Sequence, residues 1–253
     1  MNYTIVILGG VVIILLYLLY KYFLSSSTSL TTKASLNTGV VSLPMPSTAG
    51  SANYSYNVWV CVNTWNSNSF KTIFFRPPGS GSKTDPLAGK TAAGSEVLPL
   101  MSSGTKTTDD PQIILYLDKT TPTLFCYIQQ TGTTDQIGPI PITTNFPLQS
   151  WVYVSISVQS TYLDLYLQGK LVKSIQFKAV PTLPDTDKPV YLGGSVDANV
   201  VGFKYYPNSL NPQQVWSNYM AGNGQSALSG LSSYGLNVDL TTNGSVQNTY
   251  KLF

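Results

Sequence analysis

Residues 151–177, WVYVSISVQSTYLDLYLQGKLVKSIQF, decide the fold of this chain. Positions 151–158, 162–167 and 170–177 read as three strands, with Leu163, Leu165 and Leu167 alternating toward one side. Gln168-Gly169 supplies a two-residue turn, because glycine takes a positive φ without steric cost. Upstream, from Asn57, the same period of two returns: Val58, Val60 and Val62 share one face, Trp59 and Cys61 the other. Further strands are expected at 72–75, 112–117, 123–129, 190–192 and 200–206. Many short strands punctuated by Gly, Pro, Asn and Asp predict an all-β, antiparallel sandwich or barrel.

Between these strands, residues 76–111 lack periodicity and are dense in turn residues, which predicts a long excursion bound for a partner or a function. One short helix is expected in NPQQVWSNYMAG, 211–222. Asn211 is a good N-cap, Pro212 suits the first turn, Gln214 completes a capping box and Gly222 follows the last turn. Val215 with Tyr219, and Trp216 with Met220, then form i,i+4 pairs able to cover a sheet edge. A last hairpin in 235–253 turns at Asn243-Gly244. The expected organisation is an anchor at 1–24, a Ser/Thr-rich linker or arm at 25–50, the sandwich at 51–226 and a hairpin tail at 227–253.

The N-terminal run TIVILGGVVIILLYLLYKYFL, 4–24, has no charge before Lys21. About twenty helical residues at about 1.5 Å each cross a hydrocarbon layer of about 30 Å, so a single transmembrane helix is expected. Ile5, Val6, Leu8, Val12, Ile14, Leu16 and Leu19 would face lipid, and Lys21 with Tyr17, Tyr20 and Tyr22 would sit among headgroups. A cleaved secretory signal is the alternative, but no basic residue precedes the run and its apolar part exceeds the usual length. Lys21 and Lys33 follow the run, which by the positive-inside rule leaves the C-terminal domain in the cytosol. Asn-x-Ser/Thr triplets at Asn2, Asn53 and Asn243 are expected by chance in such a composition.

Charged residues are 10% of the 253 and the net charge is +3, from scattered lysines, so nucleic acid is not an expected partner. A polar but nearly uncharged surface fits a protein held against neighbours. The chain has no histidine and a single glutamate, Glu96. Ser-His-Asp and Cys-His chemistry is therefore excluded, and no strand carries the paired carboxylates of a glycanase. No catalytic residue, metal or cofactor is expected. Asp109, Asp110 and Asp118, or Asp197 and Asn199, could at most serve calcium, and loop aspartates more often form turns. Cys61 and Cys126 lie in apolar strands and read as small buried hydrophobes, a disulfide being the alternative. Exposed aromatics can stack on sugars. With Trp59, Trp151 and Trp216 placed in the core, Trp65 remains as a candidate glycan contact.

The succession 151–172, then YLGG at 191–194, then VGFKYYPNSLNPQQVWSNYMAG at 201–222, resembles the concanavalin A-like, laminin G-like domain. Trp151, Tyr166, Gly169, Gly193, Gly194, Tyr206, Leu210 and Trp216 match that layout. The resemblance implies a jelly-roll sandwich and says little about function, since such domains serve lectins, adhesins, glycanases and structural proteins. With its anchor and neutral surface, the chain further resembles lectin-like minor capsid proteins of large icosahedral DNA viruses with an internal membrane. That likeness implies a non-enzymatic virion protein on the internal membrane facing the capsid, with the bilayer and capsid chains as partners. The alternative is an anchored carbohydrate-binding lectin or adhesin displayed on a cell or envelope surface.

Overall fold

The computed structural model describes residues 9–10, 12–16, 27–46, 50–77, 83–89, 110–131, 137–183, 188–194, 196–223, 237–242 and 245–251. Fourteen strands and one helix are named here: β1 Thr28–Ser35, β2 Val41–Leu43, β3 Tyr54–Val62, β4 Lys71–Arg76, β5 Ile113–Leu117, β6 Leu124–Ile128 and β7 Ile140–Thr143. They continue with β8 Val152–Val158, β9 Tyr162–Leu167, β10 Lys170–Gln176, β11 Val190–Leu192, β12 Ala198–Tyr206, the helix α1 Pro212–Met220, β13 Asn237–Thr242 and β14 Ser245–Lys251.

Two six-stranded antiparallel sheets face each other, in the orders β1-β12-β3-β8-β9-β10 and β2-β11-β4-β5-β6-β7. The alternation in the sequence builds the layer between them. Val58, Val60 and Val62 point inward, against Val152, Val154, Leu163 and Leu165 of their own sheet and Ile113, Leu115 and Cys126 of the other. The hairpin read at 162–177 forms with Gln168 at φ 51 and Gly169 at φ 75, the two positive values a tight turn of this kind needs. Strands β13 and β14 pair with each other in a separate two-stranded sheet.

Residues 25–50, expected as a linker or arm, instead supply two strands. β1 pairs with β12 and β2 pairs with β11, so this segment contributes an edge to each sheet. An edge strand needs little apolar sequence: Leu30 and Leu43 turn inward while the Thr-rich remainder faces out, and β-branched threonine suits extended backbone. β7 was equally unannounced, because Pro141 argues against a strand. It lies at the end of its sheet, where proline is tolerated.

Both sheets also carry apolar clusters on their outer faces, which is why β5 and β8 are buried along their whole length. On one outer face, Leu87 from the excursion joins Phe70, Phe75, Tyr116, Tyr127 and Tyr191. Asp85 holds that turn by accepting from Thr72 Oγ1 at 2.8 Å and from the Leu87 amide at 2.9 Å. On the other outer face, Tyr153, Tyr166, Tyr206, Leu210 and Val215 cluster beneath α1.

Among the described residues no helix is long and apolar enough to cross a membrane. Of the expected lipid-facing positions, Ile5, Val6, Leu8, Leu19 and Lys21 lie outside those residues. Val12, Ile14 and Leu16 are helical and exposed, as are Ile13 and Leu15 between them.

Candidate functional site: a recess beneath the helix

α1 is placed by serines. Ser55 on β3 and Ser157 on β8 point outward, and the Leu210 amide donates to Ser55 Oγ at 3.0 Å and Ser157 Oγ at 2.9 Å. Ser55 Oγ donates in turn to the Asn208 carbonyl and Ser157 Oγ to that of Leu210. Small side chains let this loop lie flat on the sheet, and the helix starts immediately afterwards. Its capping box is closed: Gln214 N–H donates to Asn211 Oδ1 at 2.9 Å and Asn211 N–H to Gln214 Oε1 at 3.0 Å. Val215 is buried, and Tyr219 stacks on Trp59 with ring centres 5.6 Å apart.

Where α1 ends, a recess of about 460 Å³ opens between it and the outer face of β1, β12, β3 and β8. Trp59, Tyr153 and Tyr206 supply aromatic walls, while Asn57, Lys33 and Lys204 supply polar ones. Its floor depends on a bulge. Val201 pairs with Trp59 and Lys204 with Asn57, so Gly202 and Phe203 together oppose the single residue Val58. Gly202 sits at φ 60, and Phe203 still turns into the core. Asn57 Nδ2 and the Tyr153 hydroxyl are buried with no hydrogen bond of good geometry, although the Tyr206 hydroxyl lies beside Asn57, and Ser155 and Asn218 beside Tyr153. Asn57 Oδ1 is engaged by Ser155 Oγ at 2.7 Å. Burial raises the pKa of Tyr153 and Tyr206 above the ordinary phenol value, so both keep their protons. The recess therefore presents hydrogen-bond donors and two ammonium groups, with no carboxylate among its lining residues.

Of the residues that carry the family resemblance only Tyr206 lines this recess, and Trp59, expected in the core, lines it as well. Tyr166 is buried beneath α1, and Gly169 lies under it: a Cβ there would meet Trp216 Cε3 at 2.9 Å and Tyr219 Cβ at 3.0 Å. Gly193 and Gly194 are close-approach positions at which a Cβ would overlap the Thr72 carbonyl and the Gly39–Val40 backbone, respectively. Trp151 is half-buried and gives its carbonyl to Gln168 Nε2. Trp216, expected in the core, is 44% exposed because Val215 and Tyr219 take the sheet-facing side of α1. Trp65 packs against the main core, and one face of its ring is occupied by Lys71 Nζ, 3.8 Å from the centroid, so little of it is left for a sugar.

Of the aspartates considered for calcium, Asp118 forms a local turn and Asp197 ties two distant segments together. Asp197 accepts from Asn63 Nδ2 and Thr64 Oγ1, and Asp118 from Thr120 and Thr121. Among the described residues no three His, Cys, Asp or Glu side chains gather as metal ligands, and Asp109 and Glu96 lie outside them. Cys126 is buried, Cys61 is half-buried, and both are free thiols. The fully buried Arg76 was not foreseen. It enters the core beside Tyr54, Tyr56 and Tyr205, whose hydroxyls burial raises and the guanidinium partly lowers again.

The recess residues were missed because they come from four strands and a helix. Two signals were nonetheless present, a glycine inside the strand pattern of 200–206 and a polar Asn57 opening an apolar run.

Comparison with known proteins bears on the fold. Similar solved structures include a Trypanosoma rangeli sialidase in complex with sialic acid, at 12% identity and TM-score 0.51, covering 80% of this chain and 30% of the sialidase. The binding domain of botulinum neurotoxin serotype G is similar at 12% identity and TM-score 0.50, covering 77% of this chain and 46% of that one. The chain thus spans less than half of these structures, and the likeness is one of fold alone. No curated protein matches the chain. Residues 35–220 match the laminin G-type model of the concanavalin A-like lectin/glucanases superfamily, and the chain belongs to that family.

Proposed function

We propose that this chain is a non-enzymatic, membrane-anchored binding protein whose sandwich works at the surface of the bilayer that holds it. The observation that carries this reading is the run Val12–Leu16, five consecutive large apolar residues that are helical and exposed, 47% to 69% each. Such a surface left in water would be a liability, whereas in hydrocarbon it needs no cover. The non-enzymatic half rests on the inventory of the chain, which has no histidine and one glutamate. In its specific form the proposal is a minor capsid protein that links an internal virion membrane to the capsid shell, with bilayer and capsid chains as partners.

Fractionation tests it. The full chain should stay with membranes through an alkaline carbonate wash, and in producing particles it should be recovered with capsids. Recovery in the soluble fraction would overturn the anchor, and recovery with host membranes but never with capsids would overturn the virion role. A second reading, an anchored lectin or adhesin, is favoured by the aromatic walls of the recess and by the fold it shares with a sialidase held in complex with sialic acid. Specific binding of the full chain to a glycan array would support it.

A further inference from the structure

We propose that the recess beneath α1 binds the anionic headgroup of a lipid in the membrane to which the chain is anchored. The inference rests on the anchored reading above and adds to it a site, a ligand class and a docked orientation.

Three independent observations meet here. The first is the donor set. Lys33 and Lys204 stand exposed at the mouth, and Asn57 and Tyr153, each 2% exposed, hold an amide N–H and a phenol O–H that their neighbours, Tyr206 for the one and Ser155 and Asn218 for the other, meet only in poor geometry. A buried donor that is poorly paired is costly, so an occupant rich in acceptor oxygens would be favoured here. With no carboxylate in the lining, a phosphate monoanion fits both the charge and the hydrogen bonding.

The second observation is position along the chain. Ser29, Thr32 and Lys33 line the recess and belong to β1, the first strand after the apolar run. Ser29 is the fifth residue after Leu24, the end of that run, and five fully extended steps reach roughly 17 Å. A site tied this closely to the end of a membrane span lies within reach of the headgroup layer. A free ligand would have to be captured from solution, whereas a headgroup is already present at high local concentration.

The third is the character of the walls. Trp59, Tyr153 and Tyr206 are amphipathic rings of the kind that settle at a bilayer interface. The C-terminal end of α1, at Ala221 and Gly222, brings the negative pole of the helix to the rim, which suits the ammonium of a serine headgroup beside the phosphate that the lysines hold. Phosphatidylserine is accordingly the probe.

The test uses the full chain in lipid nanodiscs, read by amide hydrogen exchange. Discs of phosphatidylcholine with one part in five phosphatidylserine should slow exchange at 29–33 and 218–223 relative to discs of phosphatidylcholine alone. Lys33→Glu with Lys204→Glu should abolish the difference, and Lys33→Arg with Lys204→Arg should keep it. Near an anionic surface each lysine is worth about fivefold in affinity, so single replacements should weaken protection stepwise. Inorganic phosphate added to neutral discs separates the sources: protection by phosphate alone would support the anion site and overturn the lipid as its occupant. Equal exchange in both discs, with and without phosphate, would overturn the proposal, as would protection by a neutral oligosaccharide alone. Carbonate-resistant retention in neutral vesicles reports the anchor by itself, so its failure is distinguishable from failure of the headgroup site.

Discussion

Lys71 shows how a single side chain sets a pH dependence. It is 1% exposed, and its Nζ donates to the carbonyls of Ser69, Asp118 and Lys119 at 2.9, 3.2 and 3.0 Å while lying over Trp65. Burial pushes its pKa down to about 8, with the Asp118 charge pulling the other way. In the unfolded chain the amine titrates near its ordinary value of about 10.4. Between about pH 8 and 10 the unfolded state thus holds a proton that the folded state has released, and the Lys71 contribution to stability rises with pH. Cys126 and the buried tyrosines oppose it, since burial raises their folded values and their contribution falls once the unfolded groups ionise. The measurement that isolates Lys71 is therefore a difference. Urea midpoints of the wild type should gain on those of Lys71→Met from pH 8 to pH 10, and a flat difference would show that the amine keeps its ordinary pKa.

At the scale of elements, α1 is the piece whose formation and placement are most separable. Asn211→Ala removes the acceptor for Gln214 N–H and should cost about 1 kcal/mol. For a domain of this size that is a fall of about 2–4 °C in Tm, readable by thermal unfolding. Gln214→Ala should cost less, because the Asn211 amide it leaves behind is exposed to water. The cap, the Gln168-Gly169 turn and the inward alternation of β3 were all legible in the sequence, since each depends on residues within a few positions of one another. β1 and β2 were not, because their strand character comes from the neighbours they pair with: Thr31 opposite Phe203, Ser42 opposite Tyr191. Nor was the recess. β12 lies between β1 and β3, so Lys33, Lys204 and Asn57 become neighbours only through the order of the strands. Local pattern announces an element, while a site assembled across non-consecutive strands leaves only a trace such as Gly202.

For the whole molecule the decisive question is what covers the apolar N-terminal run, and one charge answers it. Ile14 is helical, 60% exposed and near the middle of the stretch from Thr4 to Leu24. In a helix at the centre of a bilayer, isoleucine favours insertion by about 0.5 kcal/mol and lysine opposes it by about 3 kcal/mol. Ile14→Lys therefore shifts the insertion balance by about 3.5 kcal/mol, several hundredfold in the equilibrium. Val12→Leu, which keeps the position apolar, should change nothing. At 60% exposure, most of the substituted side chain is clear of the described residues. Near-UV circular dichroism and the Tm of the sandwich should accordingly stay at wild-type values while carbonate-resistant membrane retention falls. If retention survives Ile14→Lys unchanged, the run does not span the bilayer. If the Tm falls with it, the run is instead packed against protein and the exposed apolar helix needs a different explanation.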